Sequence, residues 1–167
     1  MSVLVRPLDR LLGRAAPDEV DLVARRMRAT LEEVLGEARG REMYTLDWLR
    51  DRVRQHLDPA VYVGEVFLAE RAGAVCGHTI VRLEPERGLI STIYVLPAAR
   101  GQGVAGRLLD RAEAWFREHG AEVVATNTAQ DNARLIGLLE RRGYAIALRA
   151  EEMVRLERRL EPPPPPA

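Results

Sequence analysis

The spacing of apolar side chains along the chain changes close to residue 60. Before that point, apolar residues recur three and four positions apart, which is the period of an amphipathic helix. One helix is predicted to begin at Pro17, where acidic residues fill the first turn, and another to run from Thr45 as N-cap to about Leu57. The alternation within residues 2–6 predicts a short strand. The first third of the chain is therefore expected to be mainly helical.

Beyond Pro59 the pattern becomes that of strands joined by tight turns. Segments 61–70 and 75–82 are rich in β-branched and aromatic residues, and the glycine-containing segment 71–74 between them is typical of a hairpin turn. A further strand over 88–95 is almost wholly apolar, which predicts burial on both of its faces. We expect these three segments to pair as neighbouring strands.

Helices and short strands alternate in the rest of the chain. A helix over about 103–119 presents one apolar face, and within it Glu113 lies four residues before Arg117, a spacing that predicts an ion pair along the helix. A second helix over 132–142 is closed by Gly143. Short strands are predicted over 123–127, 144–148 and 153–156.

Length and composition allow one domain and argue against several classes of protein. The 167 residues are 47% hydrophobic and 30% charged, with 25 basic residues against 25 acidic ones. This balance argues against disorder and against a non-specific nucleic-acid binder, which needs a basic face. No apolar run approaches the roughly 18 residues of a membrane span. We expect a single domain over 1–160 with a proline-rich tail over 161–167, and neither a nucleic-acid nor a membrane partner.

The single cysteine bears on the compartment. Cys76 has no second cysteine with which to form a disulfide within the chain, and the first ten residues carry no secretory apolar segment. A cytoplasmic location is the simplest expectation. No metal site is predicted.

The segment 95–106 is the strongest chemical signal, because it joins a buried strand to a helix and contains three glycines beside Arg100. The first amides of a helix lack backbone partners, and the positive end of the helix dipole favours an anion. A phosphate or diphosphate is therefore the predicted occupant, and a glycine-containing turn without a ligand is the alternative.

Gly101, Gly103 and Gly106 also satisfy the pattern G-x-G-x-x-G of dinucleotide-binding folds. In those folds the pattern follows its strand almost directly, whereas here residues 96–100 intervene. The next strand should also end in an acid for the ribose, but it ends in Thr126-Asn127. The surroundings therefore do not support a dinucleotide site.

The same loop fits a second pattern. Arg100-x-x-Gly103-x-Ala105 resembles the R/Q-x-x-G-x-G/A signature of the GNAT superfamily of N-acetyltransferases. Residues 132–144 resemble the closing segment of that family and residues 65–82 its central hairpin, so that the resemblance covers roughly 61–157. It implies a mixed α/β (α+β) fold in which helices flank a mostly antiparallel central sheet and splayed strands form an acyl-CoA cleft.

The resemblance implies acetyl-CoA, or another acyl-CoA, as co-substrate. The backbone of residues 93–95 would pair with the pantetheine arm and polarise the thioester carbonyl, while the amides of 101–106 would hold the diphosphate. Asn132 would contact the pantetheine region, or cap its helix, or do both. The cofactor-binding residues implied in this way are Ile93, Tyr94, Val95, Arg100, Gly101, Gln102, Gly103, Val104, Ala105, Gly106 and Asn132.

The catalytic pattern departs from that of the family. The glutamate that serves many members as base falls on Ser91, and the frequent tyrosine that protonates the leaving thiolate falls on Leu139. His78, in the neighbouring strand and expected to pair near Ile93, is a possible base, because imidazole titrates near neutral pH. Tyr94 is a second candidate catalytic residue, and core packing is the alternative role for both.

The acceptor implied by the resemblance is an amine, on a small molecule or on a protein. Tyr44 and Trp48 come from the helical region where the family builds its acceptor pocket, and core packing is the alternative for Trp48. The predicted function is N-acetyl transfer by direct attack in a ternary complex. Because the usual acid and base are missing, a non-catalytic acyl-CoA-binding sensor or regulatory module is the alternative. A homodimer is possible from the family alone.

Overall fold

The structure is a computed structural model that describes residues 2–162 and 165–166. Over these residues the chain forms nine strands and five α-helices. The strands are β1 Leu4–Pro7, β2 Arg10–Leu11, β3 Arg14–Ala15, β4 Gly64–Arg71, β5 Ala74–Leu83, β6 Gly88–Val95, β7 Val123–Ala129, β8 Ala145–Ala150 and β9 Met153–Arg159. The helices are α1 Pro17–Leu35, α2 Glu37–Met43, α3 Leu46–His56, α4 Val104–Glu118 and α5 Ala133–Arg141.

Seven of the described strands form one sheet in the order β1-β4-β5-β6-β7-β9-β8. Neighbours pair antiparallel except β6 and β7, which run parallel. Strands β2 and β3 form a separate two-residue hairpin. The predicted mixed fold, a mostly antiparallel sheet flanked by helices, is confirmed.

Helices cover both faces of the sheet. Successive side chains of a strand point to opposite faces, and apolar residues lie on both. On β4, Phe67 and Ala69 pack in a cluster with residues of α4 and α5, whereas Val66 and Leu68 pack in a cluster with residues of α1 and α3. The predicted apolar stripe of α1 supplies buried residues to the second cluster. The central sheet is thus the middle layer of three. No helix of the described part of the chain is long and apolar enough to cross a bilayer.

The sequence-based elements are confirmed in order, with local corrections. Strand β4 begins at Gly64, three residues later than predicted, because residues 61–63 belong to the turn that follows α3. Helix α2 and the hairpin of β2 and β3 were not predicted. Glu113 does not pair with Arg117, because it is buried against residues of other elements, described below.

Candidate active site

The strands β6 and β7 pair only at their beginnings. The parallel register joins residues 88–90 to residues 124–126, and Thr126 Oγ1 donates to Ile90 O at 3.0 Å. Both strands continue beyond this point, β6 to Val95 and β7 to Ala129, and they separate as they do so. One edge of β6 pairs with β5, so the other carries backbone groups that no described strand pairs. A strand-like ligand could hydrogen-bond to this edge.

A cleft of about 520 Å³ opens where the two strands separate. Its walls come from the end of α1, the end of β6, the glycine loop with the first turn of α4, and the start of α5. This volume is within the usual range of small-molecule sites. Every predicted cofactor-binding residue lines the cleft except Gln102, whose exposed side chain reaches back to Ala98 O at 3.4 Å. The structure thus gathers these residues in one place, and their cofactor role stays a prediction.

The glycine loop leads into α4 in a way that suits an anion. Gly101 and Gly103 have φ angles of +77° and +82°, a left-handed conformation that other residues adopt only with strain. Gly103 is the N-cap of α4 and has no side chain with which to occupy the first amides. The first turn, Val104 to Arg107, adds a positive charge rather than an acid. The free amides and the helix dipole therefore favour a negatively charged group at this end of the cleft.

Asn132 performs the capping role that the sequence allowed. Its Oδ1 accepts from the backbone amide of Leu135 at 3.4 Å, and its Nδ2 donates to Thr128 Oγ1 at 3.1 Å. The side chain is thereby fixed at the start of α5, on the wall of the cleft that faces β6. Contact with a ligand would need a change of partner or the use of a remaining lone pair.

Arg100 is held by two different elements of the cleft. Its Nε donates to Val95 O at 2.9 Å, and its Nη2 donates to both carboxylate oxygens of Glu33 on α1, at 2.9 and 3.0 Å. The guanidinium also lies 5.5 Å from the centre of the Tyr94 ring. Glu33 was missed from the sequence, because it lies 67 positions from Arg100 and no local pattern joins the two.

Tyr94 lies at the boundary between the cleft and the core. Its side chain is buried, and its hydroxyl lies 3.5 Å from Glu33 Oε1. Burial and the negative charge of Glu33 raise the pKa of the phenol above its usual value. The hydroxyl is therefore protonated at neutral pH and could donate a proton, so the geometry is compatible with the predicted catalytic role, which stays a prediction.

His78 is placed away from the cleft. It pairs with Tyr94, one position from the expected neighbour, and only 1% of it is exposed. Its Nε2 lies 3.1 Å from Thr92 Oγ1, and Nδ1 finds no hydrogen-bond partner among the described residues. Burial and the charge of Arg26 lower its pKa to about 3. The role of His78 as a general base stays a prediction, and its buried position does not favour that role.

The two positions at which the family pattern is broken are both in ordered structure. Ser91 lies at a bulge of β6, since Ile90 and Thr92 pair with consecutive residues of β5 and leave it without an opposite residue there. Leu139 is fully buried on α5. Neither side chain can accept or donate a proton as a carboxylate or a phenol would.

Tyr44 and Trp48 are stacked on each other outside the cleft. Their ring centres are 4.1 Å apart, and 39% and 45% of the two residues is exposed. The carbonyl of Tyr44 accepts from Arg28, whereas α1 contributes Thr30, Glu33 and Val34 to the cleft. Neither aromatic residue lines the cleft, and their substrate-binding role stays a prediction.

The comparison with known families bears on this site directly. The model of the acetyltransferase (GNAT) family matches residues 24–144, a span that contains the later part of α1, the glycine loop and α5. The chain belongs to the GNAT acetyltransferase family. This confirms the resemblance and, with it, the predicted class of enzyme, an acyltransferase.

Solved GNAT acetyltransferase structures share this fold. PaiA N-acetyltransferase from Thermoplasma acidophilum, solved in complex with coenzyme A, has a TM-score of 0.78 at 14% identity, covering 96% of this chain and 100% of that one. A GNAT acetyltransferase from Staphylococcus aureus has a TM-score of 0.75 at 12% identity with the same coverage. Ard1 from Thermoplasma volcanium has a TM-score of 0.72 at 18% identity, covering 96% and 99%. At these identities the similarity establishes the fold.

Proposed function

We propose that this GNAT protein transfers an acetyl group from acetyl-CoA to an amine by direct attack in a ternary complex. The observation that carries the proposal is the unpaired edge of β6, which borders a cleft that ends at the free amides of α4. A pantetheine arm has amide groups that can pair with such an edge, and a diphosphate suits the helix N-terminus. Relatives of the same fold have been solved with coenzyme A and with acetyl-CoA.

The chemistry requires few groups from the protein. The neutral nitrogen of the acceptor attacks the thioester carbonyl carbon, the carbon–sulfur bond breaks, and the nitrogen loses a proton. The backbone around Val95 would polarise the carbonyl oxygen, as an oxyanion site does. Tyr94, which lines the cleft, would protonate the departing thiolate, which is a tolerable leaving group because a thiol has a pKa near 8.5. The base would be water or, less favoured by its burial, His78.

Calorimetric titration with acetyl-CoA, CoA and NADH tests the cofactor site. We expect binding of acetyl-CoA and CoA but not NADH, and loss of binding in Gly103→Glu, because the carboxylate would repel the diphosphate. Gly73→Glu is the matched control, since Gly73 has a similar φ of +78° and open space around it, but lies in the β4–β5 turn. Wild-type protein that binds neither CoA species would contradict the proposal.

A non-catalytic acyl-CoA-binding module is the second candidate function. The observation in its favour is that Ser91 and Leu139 occupy the positions of the usual base and acid. Both candidates predict binding of acetyl-CoA, so turnover separates them. Release of free CoA in the presence of a panel of small amines and peptide N-termini supports the enzyme, and tight binding without turnover of any acceptor supports the module.

A further inference from the structure

Glu33 places a carboxylate in a cleft that otherwise suits an anion. It is one of two acidic residues among the described residues that line the cleft, the other being Asp131. Both of its oxygens accept from Arg100 Nη2, and Oε2 lies 3.8 Å from Arg134 Nη2 on α5. The carboxylate therefore joins the glycine loop to α1 and lies close to the far wall of the cleft.

The position of Glu33 on its own helix does not explain its presence. It lies two residues before the end of α1, where the negative end of the helix dipole disfavours a carboxylate. Glu32 precedes it and adds a second negative charge. The charge of Glu33 is instead compensated from other elements, by Arg100 and to a lesser extent by the largely exposed Arg134.

We propose that Glu33 is an internal counter-ion that competes with the diphosphate of acyl-CoA for Arg100. This inference rests on the proposed function, because it takes the glycine loop as the diphosphate site. In this structure, Nη2 of Arg100 donates to both carboxylate oxygens of Glu33. When the diphosphate binds, Nη2 turns to it and the contact with Glu33 is lost.

The geometry allows this exchange without movement of the strand. Nε of Arg100 is bonded to Val95 O, so that the guanidinium remains anchored to β6 while Nη2 changes partner. Glu33 has 36% of its side chain exposed, and water can solvate its carboxylate once the diphosphate has displaced it from Nη2. Because the contact with Glu33 must be given up, acyl-CoA binds less tightly than it would to a protein without this carboxylate.

The test is calorimetric titration of acetyl-CoA into the wild type, Glu33→Gln and Glu32→Gln at physiological ionic strength. Glu32 is the matched control, because it has the same charge and helix but pairs with Arg41 at 3.1 Å away from the cleft. We expect Glu33→Gln to bind acetyl-CoA about two- to fivefold more tightly, as a partly exposed ion pair would predict. Glu32→Gln should bind as the wild type does, because the carboxylate of Glu32 pairs with Arg41 and Glu32 does not line the cleft.

A double-mutant cycle distinguishes competition between Glu33 and the diphosphate for Arg100 from long-range repulsion of the diphosphate by the charge of Glu33. Arg100→Gln should weaken binding, and in that background Glu33→Gln should give no gain. Glu33→Asp, whose shorter side chain reaches Arg100 less well, should give a smaller gain in the same direction.

Three results would overturn the inference: weaker binding in Glu33→Gln, unchanged affinity with slower turnover, or a gain that persists without Arg100. They would indicate, in turn, that Glu33 orients Arg100, that it acts as a base, or that it acts at a distance. Failure of the wild type to bind acetyl-CoA would instead contradict the proposed function. The failure of the proposed function can thus be distinguished from the failure of this inference.

Discussion

Two buried histidines hold their rings neutral and thereby link stability to pH. His56 is wholly buried, with Nδ1 2.8 Å from Arg52 O and Nε2 3.1 Å from Arg82 Nη1, so that Nδ1 donates and Nε2 accepts. Burial, assisted by the charges of Arg82 and Arg52, lowers its pKa from 6.5 to about 4. His78, with a pKa of about 3, behaves in the same way.

The unfolded chain therefore binds more protons than the folded protein below pH 6.5. The stability due to neutral His56 is fully present above about pH 6.5 and is lost as the pH falls towards 4. In urea unfolding between pH 7 and 4, we expect the free energy of unfolding of His56→Gln to decline less steeply than that of the wild type. An equal decline in the wild type and in His56→Gln would contradict this prediction.

Individual site residues can be predicted from the sequence when a local sequence pattern contains them. Gly101 and Gly103 follow from a loop whose spacing is fixed by the turn and the helix start. Glu33 does not, because its partner Arg100 is distant in the chain and only the packing of α1 near β6 brings them together. His78 has the right type of side chain for a base, but its burial depends on α1 and could not be deduced from β5 alone.

The elements α4, α5 and β9 are joined by a buried ionic cluster around Glu113. Its carboxylate accepts from Tyr144 Oη at 2.7 Å, from Arg142 Nη2 at 2.9 Å and from Arg158 Nη1 at 3.0 Å, and only 3% of the residue is exposed. The helical period predicted an ion pair with Arg117, which lies four residues later on the same helix. The cluster forms instead because the inward face of α4 carries Glu113 towards the end of α5 and the end of β9.

Removing this carboxylate leaves two arginines without their shared partner. We expect Glu113→Ala to lower the free energy of unfolding by about 3–5 kcal/mol, the range for breaking a buried ion pair. Glu118→Ala removes an acid from the same helix that is 60% exposed and 3.8 Å from Arg111, and it should change stability by less than about 0.5 kcal/mol. Chemical denaturation measures both. A loss in Glu113→Ala no larger than in Glu118→Ala would show that water replaces the carboxylate.

Elements are predicted from the sequence in proportion to their length and periodicity. The long helices α1 and α4 and the strands β4, β5 and β6 carry enough periodic residues to be recognised. Helix α2 is seven residues long with only Gly40 buried, and β2 and β3 have two residues each, so neither carries a periodic signal. The separation of β6 from β7, which creates the cleft, is a property of pairing and was implied only by the family resemblance.

At the scale of the whole molecule, apolar side chains pack on both faces of one seven-stranded sheet. The first helices and the last strands share this sheet, since β1 lies at one edge and β8 at the other. Apolar clusters lie on both of its faces, so loss of the sheet would expose both at once. We therefore propose that residues 1–160 unfold as one cooperative domain, which thermal unfolding followed by two independent probes would test.

The end of that domain can be located by truncation. Leu160 is 5% exposed, packs in the apolar cluster of α4, and donates its backbone amide to Glu122 O at 2.8 Å. We expect a chain ending at residue 160 to melt as the full chain does, and one ending at residue 159 to melt several degrees lower, since burying a leucine contributes about 1.5–3 kcal/mol. Leu160→Ala in the full chain removes the leucine side chain without moving the C-terminal carboxylate. This variant should also melt at a lower temperature than the wild type. A lower melting temperature already at 1–160, where residues 161–167 are removed and the terminal carboxylate is moved to Leu160, would contradict the expectation that the folded domain ends at residue 160.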